Sequence, residues 1–380
     1  MTPLAIFLAV FFFWPLWTMV SVSVRNDAIA SAFTNTADVI GSWDGEGMPG
    51  PDIQAALLAD LRETPNSILG PAVRRLNSDV SGFRSLMGRT TEAAEEAGDG
   101  GSVDLAAVDQ RWTDERFWLA IKDGTSVYTA RNLLASVDLT RDDVTGEIRQ
   151  IPEGSSANRL IIWRTFLIAG TITLVCIAIG LPYAMLAAST TGWKRNALLL
   201  AVLLPLWTSL LVRTAAWFIL LQNNGLINNT LIDIGLIDAP LPLIFNRAGV
   251  IIAMSHVLLP FMVLPIYSVV STIPDNLMPA AASMGASPLR AFWRVLLPLS
   301  LPGVLAGSLL VFMVAIGYYI TPALVGGPND QMISSIIAFY ALQTANWGMA
   351  GALGLILLAV TTILYIVYGR LSRSGSPTGI

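Results

Sequence analysis

Residues 160–189 read LIIWRTFLIAGTITLVCIAIGLPYAMLAAS, a run in which Arg164 is the only charge. It exceeds the roughly 20 apolar residues needed to cross the hydrocarbon core of a bilayer. Similar runs lie at residues 3–24, 197–221, 249–271, 299–322 and 349–368. Several carry an internal proline: Pro15, Pro182, Pro205, Pro260 and Pro265. Neighbouring helices re-satisfy the carbonyls that a proline frees, so these residues predict kinks rather than the loss of a span. The expected fold is an all-α membrane protein with six transmembrane helices. Composition agrees, with 54% apolar residues, 13% charged residues and a mean hydropathy of +0.63 over 380 residues. A soluble fold of this length cannot hide so much apolar surface, because burial on folding saturates at roughly three-quarters.

Outward from that run the charges separate. Residues 25–158 hold 22 of the 26 acids and 12 of the 22 bases, net −10, and the remaining chain is net +6. A hydrophilic block therefore interrupts the apolar chain, expected as a large, partly helical periplasmic insertion between helices 1 and 2. The expected organisation is an anchor helix at 1–24, the insertion at 25–158, a membrane core at 159–370 with a cytoplasmic loop at 272–298, and a tail at 371–380. The first apolar run is long and lacks a basic start, which predicts a retained anchor rather than a cleaved signal peptide. On one side of the membrane the short loops carry Lys194, Arg195, Arg290, Arg294, Arg370 and Arg373 against Asp275 alone. The other side carries Asp233, Asp238, Asp330 and Arg247. The basic side should face the cytoplasm, with both termini inside.

Within the block, Ile53, Leu57, Leu58 and Leu61 recur at helical spacing, as do Leu69, Val73, Leu76, Val80 and Phe83. Residues 88–102, GRTTEAAEEAGDGGS, read as a flexible polar stretch. Trp112, Phe117, Trp118 and Tyr128 are expected to pack. No catalytic constellation appears there, and a helical subdomain that caps the membrane part or meets a partner is expected. The single cysteine, Cys176, and the single histidine, His256, leave no disulfide and no paired-histidine metal motif. Neither lysine, Lys122 or Lys194, follows a glycine, so the chain has no P-loop. No metal, no cofactor of its own, no enzyme activity and no nucleic-acid partner are expected.

The loop at residues 279–303, PAAASMGASPLRAFWRVLLPLSLPG, is unusually ordered for a connection between spans. Ala280, Ala281 and Ala282 give a small-residue face, Gly285 permits a positive φ, and Ser287 with Pro288 can start a second short helix. Two short helices would form a knob for a cytoplasmic partner. The spacing Ala280-Ala281, Gly285, Val295 and Leu297-Pro298 resembles the EAA loop of type I binding-protein-dependent ABC importer permeases, which implies an ATPase-coupling loop of Ala280, Ala281, Gly285, Ala286, Ser287, Pro288, Leu297 and Pro298. Pro279 stands where that motif has its glutamate. Residues 203–228, 256–267 and 317–340, the last reading GYYITPALVGGPNDQMISSIIAFY, look like the polyamine-type subgroup.

The resemblance implies a bacterial inner-membrane, multi-pass subunit that pairs with a second permease, in this subgroup usually a different polypeptide. It further implies two ABC ATPase subunits that hold the ATP and magnesium, and a periplasmic binding protein that delivers a small cationic, polyamine-like solute. Arg213, Asn223, Tyr318, Tyr319 and Trp347 are the candidate path residues. Arg213 is a costly charge near the middle of the third span, the tyrosines offer aromatic faces that attract amines, and Asn223 supplies an amide. His256 reads as a structural histidine. Among rivals, a secondary transporter would need intramembrane coupling carboxylates and an internal repeat, neither of which is present. An intramembrane protease would need a Ser–His pair or paired aspartates at membrane depth, and a membrane sensor would need a cytoplasmic output domain.

Overall fold

The structure, a computed structural model, describes residues 2–374 apart from 26, 99–102, 127, 142–146, 153, 155–156 and 345. The chain divides into two compact units, Met1–Arg159 with Ile336–Ile356, and Leu160–Ser335 with Leu357–Ile380.

In the first unit the hydrophilic block is built mainly from the helices Thr34–Ile40, Pro51–Glu63, Asn66–Asp79, Phe83–Ala97 and Glu115–Thr125. Pro51, in the first turn of its helix, has no N–H to leave unpaired there, and Ile53, Leu57, Leu58 and Leu61 bury one face. The second periodic run is not one helix. It stops at Val80, Gly82 turns the chain at φ 106°, and Phe83 opens the next helix. That helix continues to Ala97 and buries Leu86, Met87, Thr90 and Ala94, so residues 88–97 are helical rather than flexible. Its inward stripe of Leu86, Thr90 and Ala94 is too small and polar to register as hydrophobic periodicity. Residues 99–102 lie outside the described residues.

Trp112 and Trp118 lie fully buried at the centre, their rings 4.7 Å apart, and Phe83 meets Phe117 at 4.9 Å. Both indoles are satisfied: Trp118 Nε1 donates to the Trp112 carbonyl at 2.8 Å, and Trp112 Nε1 donates to Thr90 Oγ1 at 2.9 Å. The buried Asp60 carboxylate accepts from the Asn35 and Thr36 backbone N–H groups at 2.9 and 2.8 Å and from Thr36 Oγ1 at 2.6 Å. It thereby caps Thr34–Ile40 from the neighbouring helix. Tyr128, expected to pack, is 71% exposed. The all-α expectation also misses a small antiparallel hairpin, Leu139–Arg141 with Ile148–Gln150, in the register Thr140 to Arg149.

The base of the block is tied to its flanking helices. Asn132 Nδ2 donates to the Ser23 carbonyl at 3.1 Å, and Arg75 Nη2 donates to Asn132 Oδ1 at 2.9 Å. Asp138 accepts from the backbone N–H groups of Asn158 and Arg159 at 3.0 and 2.8 Å and so caps the helix Asn158–Ser189.

Among the described residues, five helices are long and apolar enough to cross a membrane: Pro3–Ser23, Asn158–Ser189, Arg247–Val270, Pro288–Gly317 and Trp347–Arg370. The sixth expected span is a broken pair. Gly192–Trp207 and Leu210–Leu220 meet at 100°. Pro205 begins a tight 3₁₀ turn at Leu204–Trp207, and Thr208 and Ser209 are extended before the second helix starts. The cytoplasmic-loop expectation also changes. Leu277–Ser283 is a separate short helix, but the segment from Pro288 runs on as one 30-residue helix to Gly317. A π-helical turn at Phe292–Leu296 sits just before Pro298, whose missing N–H and ring interrupt the regular ladder. In the second unit Arg247–Val270 packs closely along Leu297–Gly317, where a Cβ on Gly303 would lie 2.9 Å from the Pro265 carbonyl.

Candidate functional site

Two places in the second unit concentrate the sequence-derived candidates. The first is the loop. Leu277–Ser283 ends in a Schellman stop, with the Ala286 N–H donating to the Ala281 carbonyl at 3.1 Å and the Gly285 N–H to the Ala282 carbonyl at 2.9 Å. Gly285 has φ 85°, a left-handed conformation that favours glycine, and the space where a Cβ would sit is open. Ser287 then caps the next helix, its Oγ accepting from the Arg290 N–H at 3.4 Å, with Pro288 in the first turn. Ala281 is buried beneath this corner, whereas Ala280, Ser287, Pro288 and Pro298 are exposed and Ala286 and Leu297 half-buried. Met284, Leu289 and Trp293 stand 82%, 68% and 60% exposed beside Arg290 and Arg294. The corner presents apolar side chains and cations that no other described residue covers.

The second place surrounds Arg213 and Tyr318. Arg213 lies in the first turn of Leu210–Leu220, directly after the break in the bent pair. Its Nη2 donates to the Thr208 carbonyl at 3.0 Å, while its Nε is buried without a partner. Tyr318 and Tyr319 lie outside the fifth span, in a break between Leu297–Gly317 and Ile320–Val325. Ser334 Oγ donates to the Tyr318 carbonyl at 2.5 Å, and Ser335 Oγ to that of Tyr319 at 3.4 Å. A buried hydroxyl contact of 3.2 Å between Thr214 and Thr321 joins the two half-helices, which brings the neighbours Arg213 and Tyr318 into one region.

The segment that supplies the serines is itself clamped. Arg164 donates through Nε to the Gln331 carbonyl at 3.0 Å and through Nη1 to the Asn329 carbonyl. Arg247 pairs with the nearly buried Asp330 at 3.1 Å, and the Ile333 N–H donates to Thr165 Oγ1 at 2.9 Å.

Asn223 follows the C-terminal end of Leu210–Leu220, ten residues beyond Arg213, and is exposed. At 1.5 Å rise per residue the helix end at Leu220 lies about 10 Å along the axis from Arg213, and Asn223 lies beyond that end. Trp347 opens the helix Trp347–Ser374 and belongs to the other compact unit. His256, read from the sequence as structural, joins the Arg213 region: Trp217 Nε1 donates to its Nδ1 at 3.1 Å, and the imidazole is exposed. A pairing signal existed, because Arg213 and Trp217 are spaced i, i+4; nothing in the sequence linked them to residue 256.

Residues 180–375 match the family described as binding-protein-dependent transport system inner membrane component. The spermidine/putrescine transport system permease protein PotB of Haemophilus influenzae is 34% identical over 213 residues, covering 56% of this chain and 74% of that one. Its Escherichia coli namesake is 36% identical over 201 residues, 53% and 73% of the two chains. A solved bacterial alginate ABC transporter, in complex with its alginate pentasaccharide-bound periplasmic protein, aligns over 60% of this chain and 82% of its own at 20% identity and TM-score 0.49. The family match begins at residue 180, beyond the hydrophilic block.

Proposed function

The chain belongs to the binding-protein-dependent transport system inner membrane components, and on that premise we propose how it works and what it carries. It is the helical, multi-pass permease of an ABC importer. The observation that carries the mechanism is the uncovered corner at Gly285. Its exposed Met284, Leu289 and Trp293 and its fixed backbone stop suit docking of an ATPase subunit, so that ATP hydrolysis on that partner moves the helices joined at residues 272–298. ATP and magnesium belong to the partner ATPase. A second permease, of a different sequence, completes the path, and a periplasmic binding protein delivers the solute.

The solute is a small organic amine, a reading supported by the two relatives named for spermidine and putrescine. The proposed path includes Arg213, Asn223, Tyr318, Tyr319 and Trp347. The proposed topology has six spans, counting the bent pair as one, and a hydrophilic block at residues 25–158 in the periplasm between the first two. Both termini are cytoplasmic, the loop at 272–298 among them. The charge asymmetry supports this orientation. A cysteine at Gly98 should be labelled from outside intact cells and one at Ser287 should not; the reverse pattern overturns the orientation.

Function is tested by uptake of labelled spermidine and putrescine into proteoliposomes that hold the assembled complex. Gly285→Asp puts a side chain in a left-handed position, at a cost of about 1–2 kcal/mol, and a charge at the docking corner. Transport-coupled ATP hydrolysis should fall at least about tenfold in this variant while membrane insertion persists. Normal coupling would reduce the loop to a connector. Tyr318→Ala should slow amine uptake by about tenfold at most, the loss of one cation–π contact. An unchanged rate removes Tyr318 from the path.

A further inference from the structure

The Arg213 region offers hydrogen-bond donors and positive charge. Arg213 and Trp217 share one face of Leu210–Leu220. The Trp217 N–H occupies His256 Nδ1, so the neutral imidazole carries its proton on Nε2 and offers it as a donor. Arg213 commits Nη2 to the Thr208 carbonyl and leaves a buried Nε–H unmet. Tyr318, three residues before the Thr321 that meets Thr214, brings a further hydroxyl able to donate to the same region. Both tyrosine carbonyls already receive serine hydroxyls, and the Thr208 carbonyl receives Arg213 itself.

The helices that build this place, Leu210–Leu220, Arg247–Val270 and Ile320–Val325, carry no carboxylate. Outside the hydrophilic block the sequence has only Asp233, Asp238, Asp275 and Asp330, none of them in Leu210–Leu220 or Arg247–Val270. Asp330 is paired with Arg247. A diamine brings a second positive charge, which Arg213 repels, and N–H donors, which neither the guanidinium nor the imidazole Nε2–H can accept. A carboxylate brings two acceptor oxygens and a negative charge, and charge-assisted bonds to guanidinium are about twice as strong as neutral ones.

We propose that Arg213, with His256 oriented by Trp217, is a subsite for the carboxylate of the solute, so that the transported compound is an amine that also carries an acid group. This narrows, and rests on, the reading of the chain as the permease of an amine importer. The amine end is left to the aromatic faces of Tyr318 and Tyr319.

The test compares uptake of putrescine and of 4-aminobutyrate, which has the same carbon count with a carboxyl group in place of one aminomethyl end, by the assembled complex in proteoliposomes. Wild type should import 4-aminobutyrate in preference to putrescine. Arg213→Gln should cut 4-aminobutyrate uptake by about tenfold or more, and Arg213→Lys should restore part of it, because the charge returns without the planar fork. His256→Ala, at an exposed position, should lower it by about threefold and decides the matter if Arg213→Gln fails to assemble.

Import of putrescine but not 4-aminobutyrate by wild type overturns the subsite and leaves the amine-importer reading standing. Import of neither overturns the subsite, and it sinks the amine-importer reading as well when spermidine is also left outside. Preference for 4-aminobutyrate that survives both Arg213→Gln and His256→Ala places the recognition elsewhere and overturns the subsite alone.

Discussion

Trp118 in the hydrophilic block and Trp163 in the membrane core are the same residue put to opposite uses. Trp118 is fully buried, its N–H bonded to the Trp112 carbonyl, within a cluster that includes Phe33, Phe83 and Ile121. Trp163, on the helix Asn158–Ser189, is 63% exposed, and Trp193 and Trp207 reach 76% and 75%. The block folds as proteins do in water, with apolar groups inside and buried polar groups such as Asp60 fully bonded. The membrane core turns apolar side chains outward, which costs little when hydrocarbon rather than water surrounds them. It reserves its interior for close backbone approach, as at Gly303, and for a few bonded polar groups such as Thr214 with Thr321. Each region is stable only in its own solvent.

Truncating the two tryptophans is the hardest test of that contrast. Trp118→Ala should cost about 3–5 kcal/mol, the range for deleting a buried large aromatic. It should expose Pro51–Glu63 and Phe83–Ala97 to proteolysis in the detergent-solubilised full chain. Trp163→Ala should stay within about 0.5 kcal/mol, as exposed substitutions do, and leave the proteolytic pattern unchanged. Equal losses would mean that the helix Asn158–Ser189 buries Trp163 against something of its own, and the contrast would fail.

The same contrast explains what the sequence made legible. Long apolar runs announce spans because the bilayer demands both length and composition, and five of the six runs coincide with continuous helices long and apolar enough to cross. The break at Pro205 was not legible. A proline within an apolar run is compatible with a kink or with a full reversal, and only the packing of neighbours decides. For the same reason the sequence alone puts Arg213 within a straight span, whereas it lies one turn beyond a 100° break.

In the block, Ile53, Leu57, Leu58 and Leu61 gave their helix away through large apolar residues at helical spacing. Phe83–Ala97 stayed hidden because its inward face uses Thr90 and Ala94, and Thr90 is buried in order to accept from Trp112. At the candidate sites, the turn chemistry of Gly285, Ser287 and Pro288 was readable because it is local. The meeting of Trp217 with His256 joins residues 39 apart in sequence and was not.

The smallest expected effect concerns pH and again separates the regions, because among the described residues the ion pairs concentrate in the block. Asp109 sits at the mouth of the aromatic core with its side chain 6% exposed, bonded to Arg111 Nη2 at 2.7 Å and Nε at 3.1 Å and reached by Arg89 at 2.5 Å. The Arg111 hydrogen bonds, only partly opposed by burial, hold its carboxyl at about 2 against an ordinary 3.8. A carboxyl depressed on folding contributes stability that is fully present above its unfolded value. That contribution fades as pH falls from about 3.8 toward 2, where the folded form is also protonated. Near-ultraviolet or fluorescence signals from Trp112 and Trp118 should therefore report a progressive loss of stability across that window in wild type. Asp109→Asn should be less stable at neutral pH and show a shallower decline below pH 4, because the group that titrates is gone. Arg111→Met should shift the wild-type decline to higher pH, since it removes the hydrogen-bond donors that hold the carboxylate ionised. A decline of unchanged slope in Asp109→Asn would assign the acid sensitivity of the block to its other carboxylates and leave the Asp109–Arg111 pair as a fixed structural contact only.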